Sequence, residues 1–252
     1  MGRITLSIDG QVARLCLDNP RKRNCITEQM LVDLNTHLDV LERDTSLRIC
    51  LLEAAPAGAF CTGADIGDWS ALDPQAFAED WLRRGNRIFD RLAQLRMPTL
   101  AIIEGPAMGG GLELAACCDW RIISHSATFS LPETGLGVIP GWSGTQRLSR
   151  LLPEATLKSM VLLGRTLDAN TASALGFAEL VDDPGSRRDA LVETVCARSG
   201  DAIRVAKSMI HAAVGENPGA MIDALGGGFA ASGPHKTIGV EAFRNKRKPE
   251  FD

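Results

Sequence analysis

The sequence lacks the marks of several protein classes. It has no CxxC pair, and Cys16, Cys25, Cys50, Cys61, Cys117, Cys118 and Cys196 form an odd set. Neither a disulfide framework nor a zinc site is expected from them, and reduced core thiols are. His37, His125, His211 and His235 are scattered without metal-ligand spacing. The start, MGRITLSIDGQ, has no apolar signal core, and position 6 is Leu where a myristoylation signal wants Ser or Thr. The end, KRKPEFD, is no peroxisomal address, and no apolar run reaches membrane-spanning length. A cytoplasmic protein without a membrane partner is the expectation. Positive charge is not in excess: the formal net charge of -4 removes the footprint of general nucleic-acid binding, so nucleic acid is not expected as a partner. Low-complexity tracts and sequence repeats are missing too.

What is present suits an ordinary globular chain. With 252 residues, 45% hydrophobic and 23% charged, it can bury a large core without staples, and its composition argues against disorder. Alternation in Ile4 to Ile8 and Val12 to Leu17, around Asp9-Gly10, predicts a β-hairpin with a two-residue loop. Thr27 and Glu28 open a helix whose Met30, Leu31, Leu34, Leu38 and Leu41 recur at helical spacing as far as Arg43. Arg48 to Glu53 reads as a buried strand, and Pro74 opens a long helix to about Leu95. Thr99 to Ile103 reads as a strand, Gly109 to Cys118 as a helix, Trp120 to Ile123 as a strand, and the chain turns helical again after Gly144. This order is α/β, but its hairpin and tight turns do not suit a plain doubly wound sheet. From about Arg187 the pattern is wholly helical. A boundary near Asp183-Pro184-Gly185 divides an α/β core, 1–183, from a helical region, 184–252, too small to fold securely alone.

Two familiar signatures fail on inspection. Gly135-Leu136-Gly137 begins like a dinucleotide loop, but Pro140 stands where the third glycine belongs. Gly141-Trp142-Ser143-Gly144 resembles a nucleophile elbow, yet Thr145 replaces its final glycine.

Three segments carry more. Ala59-Phe60-Cys61-Thr62-Gly63-Ala64-Asp65-Ile66 reads as a loop ending in an Asp helix cap, or as a loop whose amides near Ala64 face a polarised oxygen. In Glu104 to Leu114 a strand ends and Gly109, Gly110 and Gly111 open a helix, where unpaired amides and the positive dipole end converge. Glu113 can cap that first turn or project into the same cavity. The Gly- and Pro-rich run from Ser130 to Leu148 demands a shaped loop, in which Glu133 is either a surface group or part of a site.

In this order and at these distances the three segments resemble the enoyl-CoA hydratase/isomerase (crotonase) family, whose pieces read approximately AFCAGAD, GxxxGGGxEL and PExxLGxxPGxGGTQRL. Asn19 to Asn24 and Ala242 to Phe251 extend the likeness over most of the chain. The resemblance implies a ββα superhelix, or spiral, followed by C-terminal helices that hold a homotrimer, often stacked as a homohexamer. It implies oxyanion-hole amides at Ala64 and Gly110, and carboxylates Glu113 and Glu133 on either side of the substrate's double bond. Glu113 would take the proton of the attacking water, and Glu133 would deliver one to the α-carbon. Arg21 matches a basic position near the coenzyme A phosphates. Asp65, Ile66 and Gly67 match backbone along the adenine and pantetheine, and Gly141 matches backbone that seats the second carboxylate loop. Phe243 and Lys246 match residues that reach a neighbouring subunit's ligand. Coenzyme A enters as part of an acyl-CoA thioester substrate, so no separate cofactor and no metal are implied. The implied reaction is addition of water to a 2-trans-enoyl-CoA. A Δ3,Δ2-enoyl-CoA isomerase, other coenzyme A chemistry, and a non-catalytic CoA- or RNA-binding scaffold are the alternatives. Trp142-Ser143 and Trp69 replace smaller residues of the pattern and are expected to reshape the acyl pocket, and the link from Val181 to Ala202 is shorter than the pattern has.

Overall fold

The computed structural model describes residues 2–216 and 235–251. Strands β1 (Arg3–Asp9) and β2 (Val12–Asp18) pair antiparallel with Asp9 opposite Val12, so the two-residue loop is Gly10-Gln11 and the strand itself takes Asp9. Helix α1 (Glu28–Arg43) is capped by Thr27, whose side chain accepts from the Met30 amide at 3.3 Å, and its apolar stripe is buried as its spacing predicts. β3 (Ile49–Ala54) follows.

After the short α2 (Ile66–Trp69), the expected single helix from Pro74 is wound in three parts. They are α3 (Pro74–Ala76), a π-helical stretch Phe77–Leu82, and α4 (Arg83–Ala93). A π-helical insertion turns the residues it contains relative to a regular helix. Next come β4 (Thr99–Ile103), β5 (Ala107–Met108), α5 (Gly110–Ala116), β6 (Trp120–Ile123) and β7 (Thr128–Ser130). A 3₁₀ turn, Glu133–Leu136, leads to α6 (Gly144–Leu151) and α7 (Glu154–Leu163). The run continues through β8 (Leu167–Asp168), α8 (Ala169–Ala174), β9 (Glu179–Leu180) and α9 (Pro184–Cys196).

One six-stranded sheet has the order β1-β2-β3-β4-β6-β9, parallel from β2 onward, and a second sheet has the order β5-β7-β8. Cys61 bridges to Ala107 beside the second sheet. After β3 the chain crosses to Cys61, after β4 to β5, and after β6 to β7, so each turn of a spiral lays backbone in both layers. Parallel strands covered on both faces should be apolar throughout, and every residue of β4 is buried.

The chain forms two compact units, Met1–Gly200 and Asp201–Asp252. The expected division at 183 is displaced because α9 belongs to the first unit. Its Leu191, Val192 and Val195 pack against Ile49, Leu51, Leu100, Ile102 and Ile122 of the sheet, a larger apolar gain than an exposed helix would have. The second unit holds most of α10 (Gly200–Ala213) and the helix His235–Arg244. Among the described residues no helix is long and apolar enough to cross a membrane.

Candidate active site

The three motif segments meet in one cleft of the first unit, a space of about 590 Å³ including its open mouth. Gly63, Ala64, Gly109 and Gly110 line one part, and Glu113 and Glu133 another. Ile66, Trp69, Phe77, Trp81, Leu82, Val138, Ile139 and Trp142 make the rest largely apolar.

Tight backbone approach builds the polar end. Gly63 has φ +98° and Gly109 has φ +50°, conformations that glycine adopts without strain. A Cβ on Gly110 would sit 3.5 Å from the Ala64 nitrogen, and one on Gly63 would sit 3.7 Å from the Gly110 nitrogen. The two amides are therefore neighbours. Ala64 is held by a bridge to Ile26, through the Ile26 amide on the Gly63 carbonyl and the Asp65 amide on the Ile26 carbonyl, each at 2.8 Å. Gly110 is the first residue of α5, a position whose amide has no acceptor within the helix. Neither amide donates to a residue of the chain among the hydrogen bonds of the described residues.

Glu113 is buried in the first turn of α5 and does not cap its own helix. Its Oε1 accepts from the Trp142 amide at 2.8 Å and the Gly144 amide at 2.9 Å. Bonds from N–H groups favour the carboxylate, and so does the helix N-terminus. Burial opposes them and wins: the Glu113 carboxyl is pushed up to about 7, with the nearby Glu133 raising it further and the amides of Trp142, Gly144 and Gly141 pulling it down. Glu133 lies at the start of the 3₁₀ turn, half-buried, and burial raises its carboxyl above the usual range too. Its Oε1 would be 2.5 Å from a Cβ on Gly109, and its buried Oε2 has no hydrogen-bond partner. Two adjacent amides can hold an oxygen that gains charge. Two carboxyls with raised pKa values can exchange protons at two points of a bound molecule near neutral pH.

The other residues singled out by sequence are placed as follows. Ile66 lines the cleft, and Asp65 caps α2 by accepting from the Gly67 amide at 3.1 Å while it pairs with Lys22. Arg21 is exposed in the turn Pro20–Lys22, outside the cleft lining and without an ion pair among the described residues. Gly141 lies at the cleft, but its loop seats Glu113 rather than Glu133, since the next amide, that of Trp142, bonds to Glu113. Lys246 is exposed in the second unit, and Phe243 lies on its last helix, with its side chain outside the described residues. No three His, Cys, Asp or Glu side chains cluster as a metal ligand set among the described residues.

Sequence reasoning missed the contributions of α4 and the π-helical stretch. Phe77, Trp81 and Leu82 line the cleft, and Asn86 donates to the Gly141 carbonyl at 2.8 Å. Gly85, a glycine inside a helical pattern, was the available signal of a close approach. A Cβ there would fall 2.1 Å from Nε1 of Trp142, whose ring packs 5.4 Å from Trp81 and 5.0 Å from Phe89.

A family model described as Enoyl-CoA hydratase/isomerase matches residues 7–252. The chain is 32% identical over 248 residues to a probable mitochondrial enoyl-CoA hydratase 2 of Arabidopsis thaliana, covering 96% of this chain and 82% of that protein. Among solved structures it is similar to DspI of Pseudomonas aeruginosa, with TM-score 0.80, 31% identity, and coverage of 99% of this chain and 97% of that one. The enoyl-CoA hydratase from Bacillus anthracis gives TM-score 0.81 at 27% identity, covering 99% and 98%. With its spiral fold and a match over nearly its whole length, this chain belongs to the enoyl-CoA hydratase/isomerase, or crotonase, family.

Proposed function

We propose that the protein is an enoyl-CoA hydratase, adding water to the double bond of a 2-trans-enoyl-CoA to give 3-hydroxyacyl-CoA in fatty-acid or related acyl-CoA degradation. The observation that carries the reading is the pair of carboxyls, Glu113 and Glu133, on one cleft with the two acceptor-free amides of Ala64 and Gly110. In this reading the thioester oxygen lies between those amides. Glu113 takes a proton from water as the water oxygen attacks the β-carbon, electrons move through the α-carbon onto the thioester oxygen, and the amides stabilise the enolate. One such donor contributes roughly 2.7–4 kcal/mol. Glu133 then gives its proton to the α-carbon. The net change is H and OH added across the bond, and one proton passes from Glu113 to Glu133 to restore the site.

The two carboxyls differ in their hydrogen bonds: amides donate to Glu113, which offsets part of the burial that raises it, while Oε2 of Glu133 lies buried without a donor. Coenzyme A is part of the substrate. Arg21 is proposed to meet its phosphates, and the backbone of Asp65, Ile66 and Gly67 to follow the adenine and pantetheine. A homotrimer or homohexamer, with Phe243 and Lys246 reaching a neighbour's ligand, is proposed as well. Support for association comes from Met209, Ile210 and Val214, apolar side chains that the single chain leaves exposed.

A panel of crotonyl-CoA, longer, branched and aryl 2-enoyl-CoAs, and 3-enoyl-CoA tests the reading by the change in enone absorbance. Loss of absorbance with a 2-enoyl-CoA is expected. Appearance of absorbance from 3-enoyl-CoA, without hydration of any 2-enoyl-CoA, would assign an isomerase instead.

A further inference from the structure

We infer that Asn86 is a positioning residue for Glu113, acting from α4 through the turn Gly141–Gly144. The inference rests on the reading of Glu113 as a proton-transfer group. Asn86 grips the turn at two points: its Nδ2 donates to the Gly141 carbonyl at 2.8 Å, and its Oδ1 accepts from the Ser143 hydroxyl at 2.5 Å. Between and beside those ties lie the amides of Trp142 and Gly144, which both donate to Oε1 of Glu113. Ser143 is left-handed at φ +63°, unusual for a side chain with a Cβ, so the turn needs support from outside itself. An amide side chain suits the task because it offers a donor at one atom and an acceptor at the other. Aspartate lacks the donor, and an aliphatic side chain lacks both.

The rest of that helix face serves the same turn. Gly85 leaves room for the Trp142 indole, Phe89 packs on it, and Asp90 takes Arg147 at 2.5 Å. Residues 85, 86, 89 and 90 lie on one side of a helix, and α4 follows directly on the π-helical stretch that lines the cleft. Glu133, Cys117 and Arg147 are the titratable and charged neighbours of Glu113, and Arg147 is answered by Asp90. Replacing Asn86 with alanine changes none of these groups and adds no charge. It frees the turn, so the amide bonds that lower the cost of ionising Glu113 are lengthened and the carboxyl should titrate higher.

The test compares the wild type with Asn86→Ala, Asn86→Asp and Ser143→Ala by two measurements. The first is carbon-13 NMR titration of the Glu113 carboxyl, assigned with Glu113→Gln. The second is the pH profile of hydration. In Asn86→Ala the Glu113 titration should move up by about one pH unit, and kcat at neutral pH should fall about tenfold or more with KM little changed. Asn86→Asp should not rescue either effect, because it restores the acceptor without the donor and adds a negative charge that also raises the Glu113 titration; the uncharged Asn86→Ala and Ser143→Ala decide the inference. Ser143→Ala should shift the titration upward by less, and it carries the test if Asn86→Ala fails to fold. A Glu113 titration unmoved in the folded variants, even with reduced thermal stability, would make Asn86 a merely structural tie and overturn the inference. A wild type that hydrates no enoyl-CoA would overturn the hydratase reading alone, since the NMR titration does not depend on turnover.

Discussion

Gly144 and Glu113 compete for one volume: a Cβ at residue 144 would lie 2.3 Å from Cγ and 2.5 Å from Oε1 of Glu113, while the Gly144 amide donates to that same oxygen at 2.9 Å. Gly144 is not among the residues with positive φ, so its backbone would accept alanine, and the nearest atoms an added Cβ would meet all belong to the Glu113 side chain. Gly144→Ala should therefore displace Glu113 and lower kcat for hydration by about 10²-fold, as a misplacement near 1 Å can. Steady-state kinetics beside far-UV circular dichroism checks this. Full activity in the folded variant would show that the contact does not constrain Glu113.

The two carboxyls should be separable by reaction. Glu113→Gln and Glu133→Gln should each bind acyl-CoA and lose hydration by about 10²-fold or more. Exchange of the α-protons of a saturated acyl-CoA with deuterated water needs the oxyanion donors and one carboxyl but no attacking water. Glu133→Gln should abolish that exchange and Glu113→Gln should largely spare it. The reverse pattern, read by mass spectrometry, would interchange the assigned roles.

Stability should carry the signature of the buried Glu113. Its folded pKa, about 7, lies above its ordinary value of 4.5, so the folded state holds its proton longer than the unfolded chain does. That contribution is fully present below about pH 4.5 and is lost as pH rises through about 7. Glu113→Gln cannot ionise, so its Tm relative to wild type should improve between pH 5 and pH 8, by a change on the order of 3 kcal/mol in unfolding free energy. Parallel thermal melts across that range decide it, and an unchanged difference would show that the carboxyl does not titrate as its burial requires.

Arg21 and Lys22 stand side by side but are placed differently. Lys22 is engaged by Asp65, whereas Arg21 is exposed without an ion pair among the described residues. Arg21→Ala should raise KM more than it lowers kcat, because it removes a charge-assisted bond to a phosphate remote from the reaction. The defect should vanish with a pantetheine thioester that lacks the nucleotide. An equal defect with both substrates would place Arg21's effect elsewhere.

Much of the fold was legible because local periodicity encodes it. Helix α1 could be bounded from Thr27 and its five apolar positions, and β4 from five consecutive apolar or β-branched residues, since each element buries the face its pattern marks. The π-helical stretch Phe77–Leu82 was not legible, because one extra residue in a turn barely alters the period of a long helix. Strands β5, β8 and β9 hold two residues each, too few to carry any alternation, and exist because the spiral brings partner backbone beside them. The position of α9 depended likewise on a sheet face that no neighbouring residue in sequence supplies.

The sequence by itself determined the site's ingredients: glycines that permit close backbone approach at Gly63 and Gly109, two carboxyls in shaped segments, and a family pattern linking them. Only the tertiary structure decided what those carboxyls experience. The pKa of Glu113 reflects burial opposed by amides from a turn some thirty positions away, and that turn is held in its conformation by Asn86 on a third element. Desolvation and hydrogen bonding act through space over a few ångströms, so they are set by what the fold packs against a residue and not by its neighbours along the chain.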